Sequence, residues 1–384
     1  MRLAALLLTL ATPLAAQDCG APIPAFKAAL RSEAVAMGIS TASADAFLSD
    51  AAIDPAVLRA DQAQGVFQLD FVTFSRRLIS ADRIDRGRAM ADRYDDTFTR
   101  IEADYGIPRG VLLAFWAFET DYGAIQGDFN TRDALFTLAH DCRRPDLFRP
   151  ELLAAMELYE RGDFDLATTG AWAGEIGQVQ MLPGDIIAHG TDGDSDGHID
   201  LKGSAPDALM SGATLLSALG WRANEPALQE ITVPGTLDWA RTGLNHPASA
   251  ADWQARGVAG RTAPLADLPG AIVLPMGRNG PAFMAYPNFN TYFEWNQSFT
   301  YVMTAAYFAT RLDGAPVYDA GNPDPGLTGE QMITLQDRLT ARGHDVGGID
   351  GILGEMTREA VQLEQQRLGL PADAWPTADL LGRL

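Results

Sequence analysis

Apolar residues recur at every third or fourth position along much of the chain, which is the spacing of one face of a helix. The pattern predicts helices over residues 25–37, 41–51, 83–105, 150–159, 208–219 and 299–312. Residues 66–74 instead alternate apolar and polar side chains, which favours a short strand or an extended arm. The chain is therefore predicted to be mainly α-helical with a smaller β component, an α+β fold.

The stretch 108–123 predicts a further helix, and the carboxyl group of Glu119 directly follows its apolar run. Pro108 suits the first turn of a helix and Gly123 suits the residue just past the end. Residues 111–118 are apolar on every side, which indicates a helix that is buried all round. Glu119 follows them, where burial and the negative end of the helix dipole both raise the pKa of a carboxyl group. A general acid needs such a pKa, but a buried Glu that pairs with an Arg fits the pattern equally well.

Proline and glycine divide the second half of the chain. Residues 222–275 are rich in both and contain short β-like runs, which predicts an inserted lobe. Residues 313–326 have no periodic pattern and several Pro and Gly residues, which predicts a linker. Residues 327–384 are then predicted to form a compact helical unit that is too small for an enzyme site of its own.

Length and charge limit the classes of function. A chain of 384 residues is long enough for two or three domains and a full hydrophobic core. Its net charge of −21 argues against a nucleic-acid partner, because phosphate binding needs a basic surface. We expect the protein to be monomeric.

Residues 1–16 have the pattern of a secretory signal peptide: a basic residue, an apolar run over 3–10, and small residues before the cleavage position. Neither this run nor any later one is long enough to cross a bilayer, so we predict no transmembrane segment. Cys19 is not preceded by the small or apolar residues of a lipid-attachment signal, which predicts a periplasmic protein that is not a lipoprotein. Cys142 is the second of two cysteines, and in an exported chain two cysteines favour a disulfide over free thiols.

An aspartate-rich loop spans residues 192–207. Its first nine residues place oxygen-bearing side chains at positions 1, 3, 5 and 9 and Gly at position 6, like the start of an EF-hand calcium loop. Position 12, normally a Glu, is Gly203, so we expect Asp207 to close the site. The alternative is an Asp-rich turn without metal. The predicted ligands of a structural calcium ion are Asp192, Asp194, Asp196, His198, Asp200 and Asp207.

Several motifs follow one another in a specific order. They are Glu119-Thr120 with Tyr122-Gly123, then Trp172-Ala-Gly with Gly177 and Gln180, then the loop 192–200, and then Tyr286-Pro-Asn-Phe289. This order and spacing resembles the lytic transglycosylase B family of bacterial cell-wall enzymes, over residues 26–312. The resemblance implies a lysozyme-like catalytic domain over residues 17–312, with the inserted lobe within it.

The resemblance also implies which residues act. The single catalytic acid of the family falls on Glu119, and its active-site arginine pair and glutamine have counterparts here. Residues 280–298 add aromatic and amide side chains, which suit sugar recognition and core packing equally well. From these two sources, the predicted substrate-binding residues are Arg143, Arg144, Gln180, Tyr286 and Asn288.

The chain departs from the family pattern at three positions of the central motif, where Ala171, Glu175 and Met181 replace a Ser, a small residue and a Phe. Of these, Glu175 is interpreted as a solvated residue and not as a second acid. The unit 327–384 resembles the three-helix peptidoglycan-binding domain, with Glu364 at a position where that family usually has Phe.

The family chemistry needs one carboxyl group and no cofactor. Glu119 is expected to protonate the glycosidic oxygen between N-acetylmuramic acid and N-acetylglucosamine, and then to accept the proton of the muramoyl C6 hydroxyl as it closes onto C1. Asp121 does not qualify as a partner, because residues two apart on a helix point to different sides. The predicted partner is a peptidoglycan glycan strand. Two alternatives remain: a lysozyme-type muramidase, and a cell-wall-binding scaffold that has lost activity.

Overall fold

The computed structural model describes residues 19–62 and 69–384, so the predicted signal peptide lies outside the described residues. Helices predominate, which confirms the mainly α fold. They are α1 (Ile23–Ala36), α2 (Thr41–Ser49), α3 (Pro55–Gln62), α4 (Phe71–Leu78), α5 (Ala81–Arg93), α6 (Asp95–Tyr105), α7 (Arg109–Thr120), α8 (Thr131–His140), α9 (Pro145–Arg161), α10 (Pro183–His189), α11 (Ala205–Ala218), α12 (Ala250–Ala255), α13 (Asn288–Trp295), α14 (Phe299–Leu312), α15 (Gly329–Ala341), α16 (Glu355–Arg367) and α17 (Ala378–Arg383). Within the described ranges, no helix combines the length and apolar character needed to cross a bilayer.

The short strands are β1 (Phe129–Asn130), β2 (Thr169–Gly170), β3 (Leu228–Thr232), β4 (Ala259–Gly260), β5 (Ala271–Val273) and β6 (Phe283–Ala285). Strands β1 and β2 form an antiparallel pair, and the other four form an antiparallel sheet in the order β4-β3-β6-β5. In that sheet Leu228 pairs with Ala285, which in turn pairs with Ala271. The sheet therefore includes a strand beyond residue 275, the boundary that the sequence predicts for the lobe.

The chain divides into two compact units, each of which combines separate segments. The first comprises the described residues up to 62, Gly127–Ile176 and Met181–Ala188. The second comprises residues 69–126, Gly177–Gln180 and His189–Leu384.

The first unit is a helical bundle in which α1, α2, α8 and α9 contact one another. Phe26 and Phe136 are buried at its centre with their rings edge to face. Cys19 and Cys142 form a disulfide with a Cα–Cα distance of 5.2 Å. The N-terminal end of the described chain is therefore fixed next to the end of α8.

The second unit is built around α7. Residues 110–117 of this helix are all buried, and α7 contacts α5, α6, α11 and α14. The apolar run of the sequence thus predicts its environment correctly. The helix begins and ends close to the predicted positions because Pro108 precedes it and Asp121 follows it in a left-handed conformation.

The prediction of a strand or an arm over residues 66–74 is wrong for the part that is described. Helix α4 starts at Phe71, after Asp70, whose carboxylate accepts the backbone N–H of Thr73. Phe71, Phe74 and Ser75 form its buried face, which is the spacing of a helix. Over so few residues, the alternating and the helical pattern share several apolar positions.

The predicted linker 313–326 contains no helix or strand, but it is packed against the second unit. The ring of Tyr318 is buried against Phe71, Phe283 and Tyr307, with centroid distances of 5.3, 6.0 and 4.8 Å. Its hydroxyl lies 2.8 Å from Ser75 Oγ. A segment held in this way has a fixed path across the protein.

Helices α15, α16 and α17 enclose a small core that contains Leu335, Val361 and Leu380. Glu364 is only 4 % exposed in this part of the chain. Its carboxylate contacts Arg367 Nη2 at 2.7 Å and His344 Nε2 at 2.9 Å. The hydrogen bond from Arg367, and next that from His344, holds the pKa of Glu364 below its ordinary value despite its burial.

This shift predicts a pH-dependent effect of Glu364→Gln. A carboxyl group whose pKa is lower in the folded protein stabilises it above the unfolded pKa, about 4.3 for Glu, and loses this contribution as the pH falls through the folded pKa. We expect the variant to have a lower melting temperature at pH 7 and a difference that shrinks below about pH 4. Glu330→Gln, an exposed residue of α15, is the control. A difference that is constant with pH would contradict the prediction.

Candidate functional site

Glu119 lies in the last turn of α7 and is half-buried. Two uncharged donors converge on its Oε1 atom: Tyr301 OH at 2.5 Å and Trp295 Nε1 at 3.1 Å. Burial, and then the nearby Glu119, raises the pKa of Tyr301 well above its ordinary value, so its hydroxyl stays protonated and donates. The carboxyl group is therefore held in one orientation by two donors that do not titrate at neutral pH.

Both donors are placed by aromatic packing against α7. The indole of Trp295, at the end of α13, stacks on Phe115 with a centroid distance of 4.3 Å. Tyr301, in the first turn of α14, meets Phe118 edge to face at 5.9 Å. Since Phe115 and Phe118 precede Glu119 by four residues and by one, the apolar side chains of α7 position the two donors.

Helix α7 ends in a left-handed turn, in which Asp121, Tyr122 and Gly123 have φ angles of 53, 62 and 82°. Such a run is unfavourable for side chains with a Cβ, so other contacts must hold it. Arg86 Nη1 donates to Asp121 Oδ2 at 2.7 Å, and Arg83 Nε donates to Asp121 Oδ1 at 3.2 Å. Burial raises the pKa of Asp121, but the two guanidinium groups together bring it below the ordinary value. Asp121 is therefore an ionised structural residue.

The turn that contains Gln180 is tied to the end of α7. Thr120 Oγ1 donates to the carbonyl oxygen of Gln178 at 2.5 Å and accepts the backbone N–H of Gly123 at 2.9 Å. Gln180 has a φ of 54°, and its Nε2 donates to the carbonyl oxygen of Gly177 at 2.7 Å. The structure thus brings the turn of Gln180 next to the helix of Glu119, as the motif order suggests.

Arg143 and Arg144 belong to the first unit, where they share one aspartate. The carboxylate of Asp61, only 4 % exposed, contacts both guanidinium groups, at 2.5 Å for Arg143. Arg143 also pairs with Asp141. Both arginines remain more than 40 % exposed, so the shared aspartate orients them without covering them.

The positions of Tyr286 and Asn288 contradict their assignment as substrate-binding residues. Asn288 is 0 % exposed, and its amide accepts from Arg222 N and donates to the carbonyl oxygens of Arg222 and Glu225. Tyr286 is buried in the lobe, where its hydroxyl donates to Gln229 Oε1 at 2.6 Å. Both side chains fix the backbone of the lobe, because buried polar groups need partners.

Glu175 also differs from the expectation of a solvated residue. Burial raises the pKa of its carboxyl group, against the opposing hydrogen bonds from backbone N–H groups of Glu175 and Ala173. Its Oε2 atom is buried and has no hydrogen-bond partner among the residues that the structure describes. The residue that replaces the usual small one is therefore a half-buried acid.

The aspartate loop brings three of the six predicted metal ligands together. Single carboxylate oxygens of Asp192, Asp194 and Asp196 lie within 4.8 Å of one another. Backbone N–H groups of the loop, such as those of Asp196 and Gly197, donate to Asp192. Three carboxylates this close are a suitable donor set for a hard cation.

The other three predicted ligands lie outside this cluster. Asp207 is 1 % exposed, and its two oxygens accept backbone N–H groups of Gly193, Asp194 and Asp200. Asp200 accepts N–H groups from residues 202 and 203, and His198 has an exposed side chain. Asp207 therefore shapes the loop, and its carboxylate is not part of the cluster of three.

Tyr301 is not among the site residues predicted from the sequence, and Trp295 belongs only to the aromatic and amide stretch 280–298. Both side chains contain a polar atom within an apolar surrounding, and such an atom usually finds a hydrogen-bond partner when it is buried. A tyrosine in the fully buried first turn of α14 is the signal that points to a buried acceptor.

Comparison with known proteins gives two family matches. Residues 23–310 match the transglycosylase SLT domain, and residues 328–384 match a peptidoglycan binding domain. The membrane-bound lytic murein transglycosylase B of Escherichia coli (strain K12) is 26 % identical over 237 residues, which are 61 % of this chain and 64 % of that protein. The match thus spans less than two thirds of that relative.

Several solved structures are similar to this chain. SltB3 from Pseudomonas aeruginosa, in complex with NAG-anhNAM-pentapeptide, has a TM-score of 0.86 and 33 % identity, and the match covers 95 % of this chain and 99 % of SltB3. The Escherichia coli lytic transglycosylase Slt35, in complex with calcium, has a TM-score of 0.64 and 23 % identity, with 77 % of this chain and 96 % of that one covered. The likeness to Slt35 is one of fold.

The contacts of Asp121 predict that Arg86→Met destabilises the protein. The change removes a charge-assisted hydrogen bond from a partly buried carboxylate, which costs about 1–2 kcal/mol. Urea unfolding measures the loss. Arg88→Met is the matched control, since Arg88 lies on the same helix and its exposed side chain pairs with Asp85, a contact worth about 0.5 kcal/mol or less. Equal effects of the two changes would contradict the prediction.

Proposed function

The chain belongs to the transglycosylase SLT family and has a C-terminal peptidoglycan-binding domain, and from this premise we propose that it cleaves peptidoglycan as a lytic transglycosylase. The bond is the β-1,4 linkage between N-acetylmuramic acid and N-acetylglucosamine, and the product carries a 1,6-anhydromuramoyl end. SltB3, the relative with the matching domain set, was solved with a peptidoglycan fragment that contains an anhydro sugar.

The observation that carries this proposal is the setting of Glu119. Most glycosidases use two carboxyl groups, one on each side of the bond. Here Glu119 is held by two uncharged donors, and the carboxylate two residues on, Asp121, is neutralised by Arg83 and Arg86. Of these two acids, only Glu119 has partners that suit a residue acting first as an acid and then as a base.

The reaction balances with this residue alone. Protonated Glu119 gives its proton to the glycosidic oxygen, and the bond from that oxygen to C1 of the muramoyl sugar breaks. The muramoyl C6 hydroxyl then attacks C1, and its proton passes to the Glu119 carboxylate. Tyr301 and Trp295 stabilise the carboxylate between the two transfers, because hydrogen bonds to a charged acceptor are stronger than those to a neutral one.

Three further residues remain proposed substrate-binding residues. The exposed guanidinium groups of Arg143 and Arg144 suit the carboxylates of peptidoglycan stem peptides. The assignment of Gln180 is supported by the hydrogen bond from Thr120 at the end of α7 to Gln178 in the same turn. We further propose that residues 1–16 direct export to the periplasm and that the protein carries no lipid anchor. In the periplasm it acts on glycan strands as a monomer.

The proposed acid predicts that Glu119→Gln abolishes cleavage of purified sacculi. General acid–base catalysis contributes about a hundred- to ten-thousandfold, and the loss should reach the upper end because one residue performs both proton transfers. The fold should survive, since a neutral Gln is at least as easy to bury. Glu294→Gln, an exposed acid of α13, is the control and should retain activity.

Mass spectrometry of the wild-type products tests the reaction class. Anhydro ends are expected, because the C6 hydroxyl outcompetes water. Reducing ends as the main product would replace the proposal with a lysozyme-type muramidase. Binding to sacculi without cleavage would replace it with a wall-binding scaffold.

A structural calcium ion is the second part of the proposal. The residues that would hold it are Asp192, Asp194 and Asp196, whose oxygens form the cluster described above. A divalent cation there offsets the repulsion between three carboxylates, while the chemistry at Glu119 needs no cofactor. The calcium complex of Slt35, a protein of the same fold, supports the choice of ion.

The cluster predicts that calcium raises the melting temperature by mass action. Asp196→Asn should reduce the rise, because it removes one negative charge of the cluster and leaves a neutral amide oxygen in place of a carboxylate. Asp200→Asn should keep it, since Asp200 lies outside the cluster and accepts backbone N–H groups of the loop. Calorimetry with calcium and with chelator measures both. A wild-type curve that chelator leaves unchanged, or equal behaviour of the two variants, would count against this ion site.

A further inference from the structure

The C-terminal domain contacts the segment that leads into α14 through one buried guanidinium group. Arg358 of α16 is buried, and its guanidinium carbon lies 4.2 Å from the ring centroid of Phe299, the first residue of α14. Its Nη2 donates to the carbonyl oxygen of Pro275 at 2.8 Å, and its Nη1 to that of Leu274 at 3.4 Å. One side chain therefore contacts both the lobe and the start of α14.

This position is costly for a charged group. Burial lowers the pKa of Arg358 to about 10, and burial raises the pKa of Glu355, one turn earlier on α16, to about 6. The Nε atom of Arg358 has no hydrogen-bond partner in the part of the chain that is described. Replacement of a whole buried charge pair by apolar side chains is often neutral or stabilising, so stability is a weak reason for an arginine here.

Further polar contacts fix the domain in the same position. Gln362 Nε2, one turn after Arg358, donates to the carbonyl oxygen of Thr242 in the lobe at 2.8 Å. Asp373 accepts from Arg278 Nη1 at 3.0 Å. The indole of Trp375 donates to the carbonyl oxygen of Asp324 at 2.8 Å. These three hydrogen bonds hold the C-terminal domain in one position against the lobe and the segment 313–326.

Phe299, which Arg358 contacts, lies beside the two residues that donate to Glu119. Phe299 is two residues from Tyr301, whose hydroxyl donates to Glu119, and it packs against Phe293 of α13 at 6.4 Å. Trp295, the other donor, ends α13. Both donors thus come from the end of α13 and the start of α14, residues 295–301, which we call the α13–α14 corner. Phe299 lies in this corner and is in contact with Arg358.

We propose that Arg358 is a positioning residue: by holding Phe299 it fixes the α13–α14 corner, and through that corner the Tyr301 hydroxyl on Glu119. The C-terminal domain is then part of the catalytic apparatus as well as a wall-binding module. The proposal rests on the proposed role of Glu119. A catalytic group displaced by about 1 Å loses about a hundredfold in rate, so a small movement of the corner has a measurable effect.

The test uses the full-length protein and a soluble, peptide-free fragment of alternating N-acetylglucosamine and N-acetylmuramic acid. Arg358→Met keeps the approximate length of the side chain and removes the buried charge, and a melting curve establishes that the variant is folded before its kinetics are compared. We expect kcat to fall about ten- to a hundredfold with little change in KM. Arg358→Lys, which keeps the charge but loses the planar guanidinium, should fall between Met and wild type.

Arg367→Gln is the matched control. It removes one positive charge from the same helix, but Arg367 is 55 % exposed and pairs with Glu364 inside the C-terminal domain. Its kcat on the soluble fragment should equal that of the wild type. A loss in this control as large as in Arg358→Met would overturn the proposal, since any weakening of α16 would then suffice.

A double-mutant cycle separates positioning from a general loss of structure. Tyr301→Phe removes the hydroxyl and keeps the ring, and it should lower kcat on its own. If Arg358 acts through that hydroxyl, adding Arg358→Met to Tyr301→Phe should lower kcat little further. Multiplicative effects, or an unchanged kcat in Arg358→Met, would overturn the proposal. If melting shows that Arg358→Met is unfolded, the same cycle with Arg358→Lys decides.

Different results would refute the acid role of Glu119 and the positioning role of Arg358. Full activity of Glu119→Gln refutes the proposed acid, whatever Arg358 does. A wild type that makes anhydro products, together with an Arg358→Met variant of unchanged kcat, refutes the positioning role alone.

Discussion

A carboxyl group that must both give and accept a proton needs partners that orient it without fixing its charge. Neutral donors meet this requirement, whereas a guanidinium group would hold the carboxylate in its ionised form. Tyr301 and Trp295 provide the neutral donors, and they reach Glu119 only because α13 and α14 pack on the apolar faces of α7. The burial of α7 and the aromatic contacts of its last turns follow from that constraint.

The same principle explains how two acids so close in sequence have opposite properties. Glu119 is on the helix, among aromatic rings, whereas the left-handed turn directs Asp121 to two arginines of α5. In the aspartate loop, Asp207 and Asp192 both accept backbone N–H groups, but Asp207 is buried, whereas Asp192 belongs to the cluster of three carboxylates. Residue type alone does not assign the role; the neighbouring donors do.

These cases show which parts could be predicted from sequence. The helix of Glu119 was predictable because an apolar run with proline and glycine at its ends is a local signal. The start of the aspartate loop was predictable for the same reason. Asn288 was assigned wrongly because its buried partners are backbone groups far away in the sequence. Tyr301 was missed because the carboxyl group that accepts from its hydroxyl, that of Glu119, is also distant along the chain. Alternation over residues 71–74 was too short to separate a strand from a helix.

The buried Tyr318 fixes the path of the segment before the C-terminal domain, and this affects how the domain can act. A loose tether would let a wall-binding module search a volume and would serve only to keep the enzyme nearby. A segment anchored by an aromatic core keeps the module at one distance from Glu119. A module that binds the wall would then set which bond along the strand reaches the acid, because its distance from Glu119 is fixed.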